Sequence, residues 1–223
     1  MRAAAVVHDV EVRSGNAVLH GILGLPDGAQ GVILFAHGSG SGRMSPRNNY
    51  VAHMLQEAGL ATLLIDLLTR KEEIVDTRTA HLRFDIDFLA GRLLDATQWL
   101  VETPETSALA VGYFGASTGA AAALQAAATR ESPIFAVVAR GGRPDLAMPY
   151  LARVRAPTLL IVGGNDAPVI PLNRAAFEAL RTKKEMRIVP GATHLFEEPG
   201  SLETVADLAT EWFVRFLPGA HEE

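Results

Sequence analysis

Residues 115–119 read Gly-Ala-Ser-Thr-Gly, which places a serine between two closely spaced glycines. A serine hydroxyl attacks acyl carbon when a neighbouring base removes its proton. An apolar run typical of a buried strand precedes this motif, and the residues after it are almost all alanine, a strong helix former. Strand, sharp turn and helix are the context of a nucleophile elbow. The stretch therefore predicts Ser117 as a nucleophile in a strained turn.

Two simpler interpretations of this stretch stay open at the level of the motif. The glycines could form only a tight strand-to-helix turn, with Ser117 as the helix N-cap. Residues 108–128 could also be a transmembrane helix with a G-x-x-x-G packing face. Alanine and glycine make this stretch much less apolar than a membrane span, and the rest of the chain favours the nucleophile.

An activated serine needs a base, and the base needs an acid that orients it. Asp166 and His194 each follow an apolar run that reads as a buried strand. The carboxyl ends of parallel strands lie on one edge of a sheet, so these side chains can converge on Ser117 although they are distant in sequence. We predict His194 as the base and Asp166 as the orienting acid. Asn165 is the alternative to Asp166.

The developing oxyanion of acyl transfer needs two backbone donors. We predict the N–H groups of Thr118, directly after the nucleophile, and of Ser39, in the glycine-rich loop 37–43. His37 in that loop reads as a structural hydrogen-bonding group. The same glycines imitate a dinucleotide-binding fingerprint, with Asp66 as its acidic residue. The third glycine is one position early and the loop follows the third strand, so we expect no cofactor.

Composition indicates an ordinary soluble globular protein. The 223 residues are 48% hydrophobic and 20% charged with a formal net charge of −5, which argues against a disordered chain or a nucleic-acid binder. The absence of cysteine excludes disulfides, a cysteine nucleophile and thiolate metal sites. The N-terminal apolar patch ends before a signal-peptide core reaches full length. We expect one domain over residues 1–223, located in the cytoplasm.

The order of elements predicts an α/β fold, a mostly parallel sheet with helices on both faces. Residues 67–82 read as a charged loop, and only 16 residues (140–155) separate two of the strands, too few for an inserted lid domain. The active site should therefore be open and covered by loops only. The predicted strands are 4–12, 16–25, 31–36, 60–66, 108–114, 133–139, 156–162 and 185–189, and the predicted helices are 45–58, 85–101, 120–129, 145–153, 172–181 and 201–217.

Four segments resemble the α/β-hydrolase superfamily and, within it, the dienelactone hydrolase family: residues 37–43, 112–119, 163–166 and 190–199. The chain looks most like small bacterial members, some of which are joined to a phosphoribosyltransferase domain that we do not expect here. The resemblance implies an eight-stranded α/β-hydrolase fold without a lid domain and a triad of Ser117, Asp166 and His194. Archetypal members use a cysteine nucleophile and a glutamate near the oxyanion loop, so "serine hydrolase" describes this chain better.

These observations predict a serine hydrolase that cleaves small carboxylic esters, lactones or thioesters through an acyl-enzyme. Its expected partner is a small-molecule acyl substrate, with no metal, cofactor, nucleic acid or membrane. The alternatives are a non-catalytic binding or assembly module, and an acyltransferase or perhydrolase with the same triad. An anionic group on the substrate could be held by Arg43 or Arg140, or the arginines at this edge could simply pair with acids such as Asp66 and Asp145. These arginines are Arg43, Arg47, Arg70, Arg140 and Arg143.

Overall fold

One eight-stranded sheet runs through the protein. In a computed structural model, residues 5–129 and 134–219 are described. The strands follow the spatial order β1-β2-β4-β3-β5-β6-β7-β8. They are β1 (Val6–Ser14), β2 (Ala17–Leu25), β3 (Gly31–Ala36), β4 (Ala61–Ile65), β5 (Ala110–Ala116), β6 (Ile134–Arg140), β7 (Thr158–Gly163) and β8 (Lys184–Val189).

The first two strands form the predicted hairpin, and the sheet is parallel beyond it. Strand β2 pairs antiparallel with both β1 and β4, whereas β4, β3, β5, β6, β7 and β8 pair with one another in parallel. Every residue of β3 and β7 is buried, as expected for strands covered on both faces. The carboxyl ends of the parallel strands therefore share one edge, which confirms the predicted α/β-hydrolase architecture.

Helices cover both faces of this sheet, and the sheet separates the core into two layers. Within the described residues the α-helices are α1 (Pro46–Glu57), α2 (Arg70–Thr79), α3 (Ile86–Glu102), α4 (Thr118–Ala127), α5 (Met148–Leu151), α6 (Ile170–Ala179) and α7 (Ser201–Phe216). On one face, α3 and α4 pack around residues such as Leu34 and Leu63. On the other face, α1 and α7 pack around Phe35 and Phe114, whose ring centroids are 4.9 Å apart.

The prediction of a charged loop over residues 67–82 is wrong, because α2 lies within it. The helix begins with a capping box, in which Thr69 and Glu72 each accept from the backbone N–H of the other. Arg92 of α3 forms two hydrogen bonds to Glu72, and Arg83 pairs with the buried Asp76. Caps and ion pairs, rather than an apolar stripe, therefore hold this helix in place.

The connection between β6 and β7 contains only a 3₁₀ turn at Pro144–Ala147 and the short helix α5, so no lid domain is inserted there. The predicted strand starts at residues 4 and 133 lie outside the described residues. Elsewhere the predicted strands agree with the observed ones to within about two residues. No helix within residues 5–129 and 134–219 is long and apolar enough to cross a membrane.

The packing of α4 against β3 gives a stability test. A methyl group on Gly119 would collide with the backbone carbonyls of Ala36 and His37, which cannot move aside as a side chain can. We expect Gly119→Ala to lower the free energy of unfolding by about 3 kcal/mol or more, at or above the usual range for overpacking. Urea unfolding measures this loss.

Gly91, within α3, is the matched control, because nothing lies within 4 Å of the position that its Cβ would occupy. Alanine is the better helix former by about 1 kcal/mol, so Gly91→Ala should raise the free energy of unfolding. Equal effects of the two substitutions would contradict the close approach of α4 and β3.

Candidate active site

Ser117 lies in a strained turn between β5 and α4, as the elbow prediction requires. Its backbone has φ 51° and ψ −122°, a conformation that costs a non-glycine residue about 1–3 kcal/mol. A Cβ on Gly115 would lie 2.5 Å from the Cα of Ala120, so the strand and the helix pass too closely for a side chain. The side chain of Ser117 makes no N-cap hydrogen bond to α4, which argues against a purely capping role.

The segment that follows β6 fixes the backbone of the serine. The N–H of Ser117 donates to the carbonyl of Arg140 at 3.2 Å, and the N–H of Arg143 donates to the carbonyl of Ser117 at 3.1 Å. Ser117 itself remains partly exposed, whereas Thr118 beside it is buried. Two hydrogen bonds therefore tie the turn to the end of β6 and the residues that follow it, while Ser117 stays partly exposed.

The structure brings Asp166 and His194 into direct contact. His194 Nδ1 lies 2.7 Å from Asp166 Oδ2, and the carboxylate is largely buried while the imidazole is 37% exposed. Asn165, the alternative to Asp166, instead donates from its side chain to the carbonyl of Gly191 at 2.9 Å. Asp166 is therefore the residue that can orient the imidazole. Asn165 instead ties its own loop to the loop that carries His194.

Ser117 and His194 lie on either side of the turn at Gly141. The Ser117 N–H bonds the residue before this glycine, and a Cβ on Gly141 would lie 3.6 Å from His194 Nδ1. No hydrogen bond joins the Ser117 hydroxyl to His194 among the described residues. Catalytic hydrogen bonds are often long in unliganded enzymes and shorten when substrate binds. Asp166 and His194 are thus in contact, and Ser117 lies across the Gly141 turn from His194 at the same edge of the sheet.

The two predicted oxyanion residues are neighbours. A Cβ on Gly38 would lie 2.7 Å from the Cβ of Ser117, so the glycine-rich loop runs directly over the nucleophile. The hydroxyls of Ser39 and Thr118 are 3.2 Å apart. Thr118 is the first residue of α4, where backbone N–H groups have no partner within the helix. Two backbone segments that can supply donors therefore border the serine.

His37 is a structural hydrogen-bonding residue, as the sequence indicates. Its Nδ1 lies 2.9 Å from the carbonyl of Gly38, and its Nε2 accepts from the N–H of Leu67 at 2.9 Å. These bonds require the neutral tautomer with the proton on Nδ1. Burial lowers the pKa of His37, although the carbonyl of Gly38 and the charge of Asp66 oppose this shift. The ring links the loops after β3 and β4.

The arginines at this edge differ in whether they are paired. Arg43 forms an ion pair with Asp66, which also accepts from the Arg43 backbone N–H at 2.7 Å. Arg143 forms two 2.9 Å hydrogen bonds to Asp145. Arg140, by contrast, has no hydrogen bond to its guanidinium within the described residues, although it is only 7% exposed. Of the two predicted anion ligands, Arg43 is therefore paired with a carboxylate and Arg140 is not, within the described residues.

A cavity of about 1080 Å³ opens beside Ser39 and Thr118. Its walls are the loop after β3, the loop after β4, and α2, which contributes Glu73 and Ile74. The sequence does not predict this wall, because the charged residues 67–82 indicate a loop where the structure has α2. The signal was present in the spacing of Thr69 and Glu72, since a threonine followed three residues later by a glutamate marks a capping box. The site is therefore bounded by a helix as well as by loops.

Comparison with known proteins places this arrangement in a family. Residues 19–217 match the Dienelactone hydrolase family. The chain belongs to that family. Its structure superimposes on the crystal structure of a dienelactone hydrolase from Anabaena variabilis with a TM-score of 0.94 and 60% identity, covering 96% of this chain and 100% of that one. The family and the fold are those of hydrolases.

More distant structures share the fold alone. An esterase from Pyrococcus furiosus aligns with a TM-score of 0.78 at 17% identity, over 96% of this chain and 94% of that one.

A Mycobacterium tuberculosis protein provisionally named a phosphoribosyl transferase is 54% identical over 211 residues, which are 95% of this chain and 47% of that protein. The chain thus spans about half the length of the curated relatives that it matches.

The buried neutral state of His37 predicts a pH-dependent stability. The unfolded chain takes up a proton near the ordinary pKa of 6.5, whereas the folded protein takes it up only at lower pH. The contribution of neutral His37 to the free energy of unfolding is therefore complete above about pH 6.5. It is lost as the pH falls toward the pKa of His37 in the folded protein, by up to about 1.4 kcal/mol per pH unit.

His37→Gln keeps an acceptor near the N–H of Leu67 but does not titrate. We expect the free energy of unfolding of this variant to fall less steeply than that of the wild type as the pH is lowered from 7 to 5 (urea unfolding at each pH measures both slopes). Parallel curves for the two proteins would show that His37 does not titrate differently in the folded state.

Proposed function

We propose that this protein is a serine hydrolase that cleaves small carboxylic esters, lactones or thioesters through a covalent acyl-enzyme. One observation carries the proposal: the 2.7 Å contact between His194 Nδ1 and Asp166 Oδ2, set beside a serine held at φ 51°. A base that is oriented by a carboxylate and lies near a partly exposed serine is the arrangement that activates serine.

The proposed roles follow from the geometry of the ring. The Nδ1–H of His194 donates a hydrogen bond to Asp166 and keeps its proton, so Nε2 of the neutral imidazole carries the lone pair that accepts the proton of Ser117. The serine Oγ then attacks the acyl carbon. The imidazolium returns the proton to the leaving group, and Asp166 stabilises the positive charge while it exists. A water molecule, deprotonated by the same histidine, releases the acid.

The tetrahedral intermediate carries a negative charge that needs donors. In this proposal the backbone N–H groups of Thr118 and Ser39 bind that oxygen, and the positive end of the α4 dipole supports them. The direct passage of Gly38 over Ser117 supports this assignment, because it brings the loop backbone against the reacting atom. A side chain at residue 38 would separate the two.

Two other functions use the same residues. An acyltransferase or perhydrolase would pass the acyl group to an alcohol or to peroxide instead of water, and the accessible serine is compatible with either acceptor. A binding or assembly module would use the fold without turnover. We assign hydrolase chemistry here because the match to the hydrolase family spans residues 19–217. The name phosphoribosyl transferase belongs to a relative about twice as long, and the aligned region is only 47% of that relative.

The proposal predicts that a fluorophosphonate probe adds once to the wild-type protein, because such probes react with activated serines and need no knowledge of the substrate. Ser117→Ala should give no adduct, and His194→Ala should react far more slowly. Ester turnover should fall by about 10⁴-fold or more in both variants, the loss seen when a triad member is removed. Intact-mass spectrometry and an ester panel measure these outcomes.

Ser107→Ala is the matched control, because Ser107 is exposed and lies before the start of β5, whereas Ser117 follows the end of that strand. It should label and turn over substrate as the wild type does. A folded wild-type protein that takes up no probe would instead favour the binding module. Adding alcohols or peroxide to the product assay separates hydrolysis from acyl transfer.

A further inference from the structure

Helix α2 presents its side chains in the reverse of the usual pattern. A helix on a protein surface normally turns apolar residues to the core and charged residues to solvent. In α2 the buried side chain is that of Asp76, which pairs with Arg83, and the half-buried Glu72 pairs with Arg92 of α3. Ile74, between these two acids in sequence, is 55% exposed. The apolar side chain of Ile74 therefore contributes little to the packing of the core.

Ile74 belongs to the face of α2 that borders the cavity beside Ser39 and Thr118. The residues of that face follow one another at helical spacing, and they are Arg70, Glu73, Ile74 and Thr77. Met44, in the loop after β3, lines the same cavity and is 69% exposed. Apolar side chains exposed in a concave wall are typical of a surface that a ligand covers. A ligand in this cavity therefore meets apolar surface from two separate elements.

The charged side chains that line this cavity are largely matched by charges of the opposite sign. The ion pairs are Arg43 with Asp66, Arg83 with Asp76, and Arg47 with Glu197. Arg70 and Glu73, which also line the cavity, carry opposite charges on one face of α2. A neutral apolar group can therefore bury the exposed apolar side chains without taking an unpaired charge out of water.

The cavity is larger than a short acyl group requires. Its volume of about 1080 Å³ lies just above the range of roughly 300–1,000 Å³ that is usual for small-molecule sites. An acetyl group occupies only a small part of such a volume. A longer alkyl chain or an aromatic ring is needed to displace the water that covers Ile74 and Met44.

The position of His194 indicates which part of an ester this cavity receives. In the proposed reaction the leaving group takes a proton from His194, so it must lie beside the imidazole. Among the described residues, Ser39 and Thr118 line the cavity and His194 does not. The cavity therefore opens from the proposed oxyanion donors and not from the imidazole. This is a position for the acyl chain.

We propose that the cavity binds the acyl part of a neutral ester or thioester, a medium-length alkyl chain or an aromatic ring, and that Ile74 and Met44 determine this preference. The assignment to the acyl part rests on the proposed function, because it names the substrate of the same serine. The flexible thioether of Met44 can adapt to acyl groups of different shapes, whereas Ile74 is β-branched and stiffer.

The first experiment measures binding without turnover. Methyl hexanoate and methyl acetate are titrated into Ser117→Ala in which the methionine methyl groups carry ¹³C. The readout is the methyl resonance that is lost in Met44→Gln, and the control is the one lost in Met148→Gln, from an exposed methionine of α5. We expect the Met44 resonance to shift saturably with methyl hexanoate at concentrations at which methyl acetate has little effect. A Met44 resonance that moves no more than that of Met148 would overturn the proposal.

The second experiment compares p-nitrophenyl hexanoate with p-nitrophenyl acetate, both below the concentration at which they aggregate. Their acyl chains differ by four methylene groups, and a fully buried methylene is worth roughly fourfold in binding. Because the cavity is open, we expect about twofold for each methylene, so the kcat/KM of the hexanoate should exceed that of the acetate by about tenfold or more. A hexanoate value no higher than the acetate value would contradict the proposal.

Variants of the wall test which residues produce this preference. Ile74→Thr and Met44→Gln replace apolar surface by polar surface of similar size, and each should lower the hexanoate-to-acetate ratio by about three- to fivefold. Val75→Thr is the matched control, because Val75 is exposed on the same helix and is not among the described residues that line the cavity. It should leave the ratio unchanged. An equal loss in Ile74→Thr and Val75→Thr, or no loss in either wall variant, would rule out the assigned roles.

Esters that differ in the alcohol test the orientation of the substrate. The ratio of kcat/KM for hexyl acetate and methyl acetate should be the same in the wild type and in Ile74→Thr, because the leaving group lies outside the cavity. A loss confined to hexyl acetate would place the leaving group in the cavity and overturn the assignment to the acyl chain.

Failure of this proposal and failure of the proposed function give different results. Probe labelling of Ser117 without a saturable shift of the Met44 resonance would overturn the apolar acyl site alone. A saturable shift with methyl hexanoate, in a wild-type protein that takes up no probe, would overturn the hydrolase and with it the assignment to an acyl chain, and would leave a site for a neutral apolar ligand.

Discussion

The close approach of α4 to the end of β3 is the constraint on which the site depends. Gly119 lies against the carbonyls of Ala36 and His37, at a distance that leaves no space for a side chain. This contact brings the start of α4 to the loop after β3 and holds Ser117 at φ 51°. The strain is about 1–3 kcal/mol, and all ten residues of α4 are buried. Apolar burial of that helix, worth roughly 25 cal/mol per Å², offsets the strain.

A second close approach positions Asp166 and His194, the predicted acid and base, in the same way. Gly163, at the end of β7, lies against the carbonyls of Ala192 and Thr193, just before His194. The loop that carries Asp166 therefore packs directly on the loop that carries the imidazole, and Asn165 adds two hydrogen bonds between them. Two glycine contacts thus set the separations of the four loops that carry the predicted site residues.

A feature of this structure can be predicted from the sequence when the residues that determine it are close together in the chain. Ser117, Asp166 and His194 follow apolar runs that end at one sheet edge, so their convergence was predictable. Helix α2 was not found, because its residues are mostly charged and its stability comes from a cap and from Arg92, which lies in another helix. Local periodicity carries no information on such contacts. The capping box alone could have revealed it.

The sequence does not predict which charges are paired, because the pairing also depends on contacts between distant parts of the chain. Arg140, the last residue of β6, and Arg143 are three residues apart, yet Arg143 pairs with Asp145 and Arg140 with no carboxylate in the described chain. Val138, two residues earlier on the same face of β6, is an ordinary core residue. A buried guanidinium at the next such position lowers stability by several kcal/mol, out of a total of about 5–15 kcal/mol. The fold gains nothing from that charge on its own.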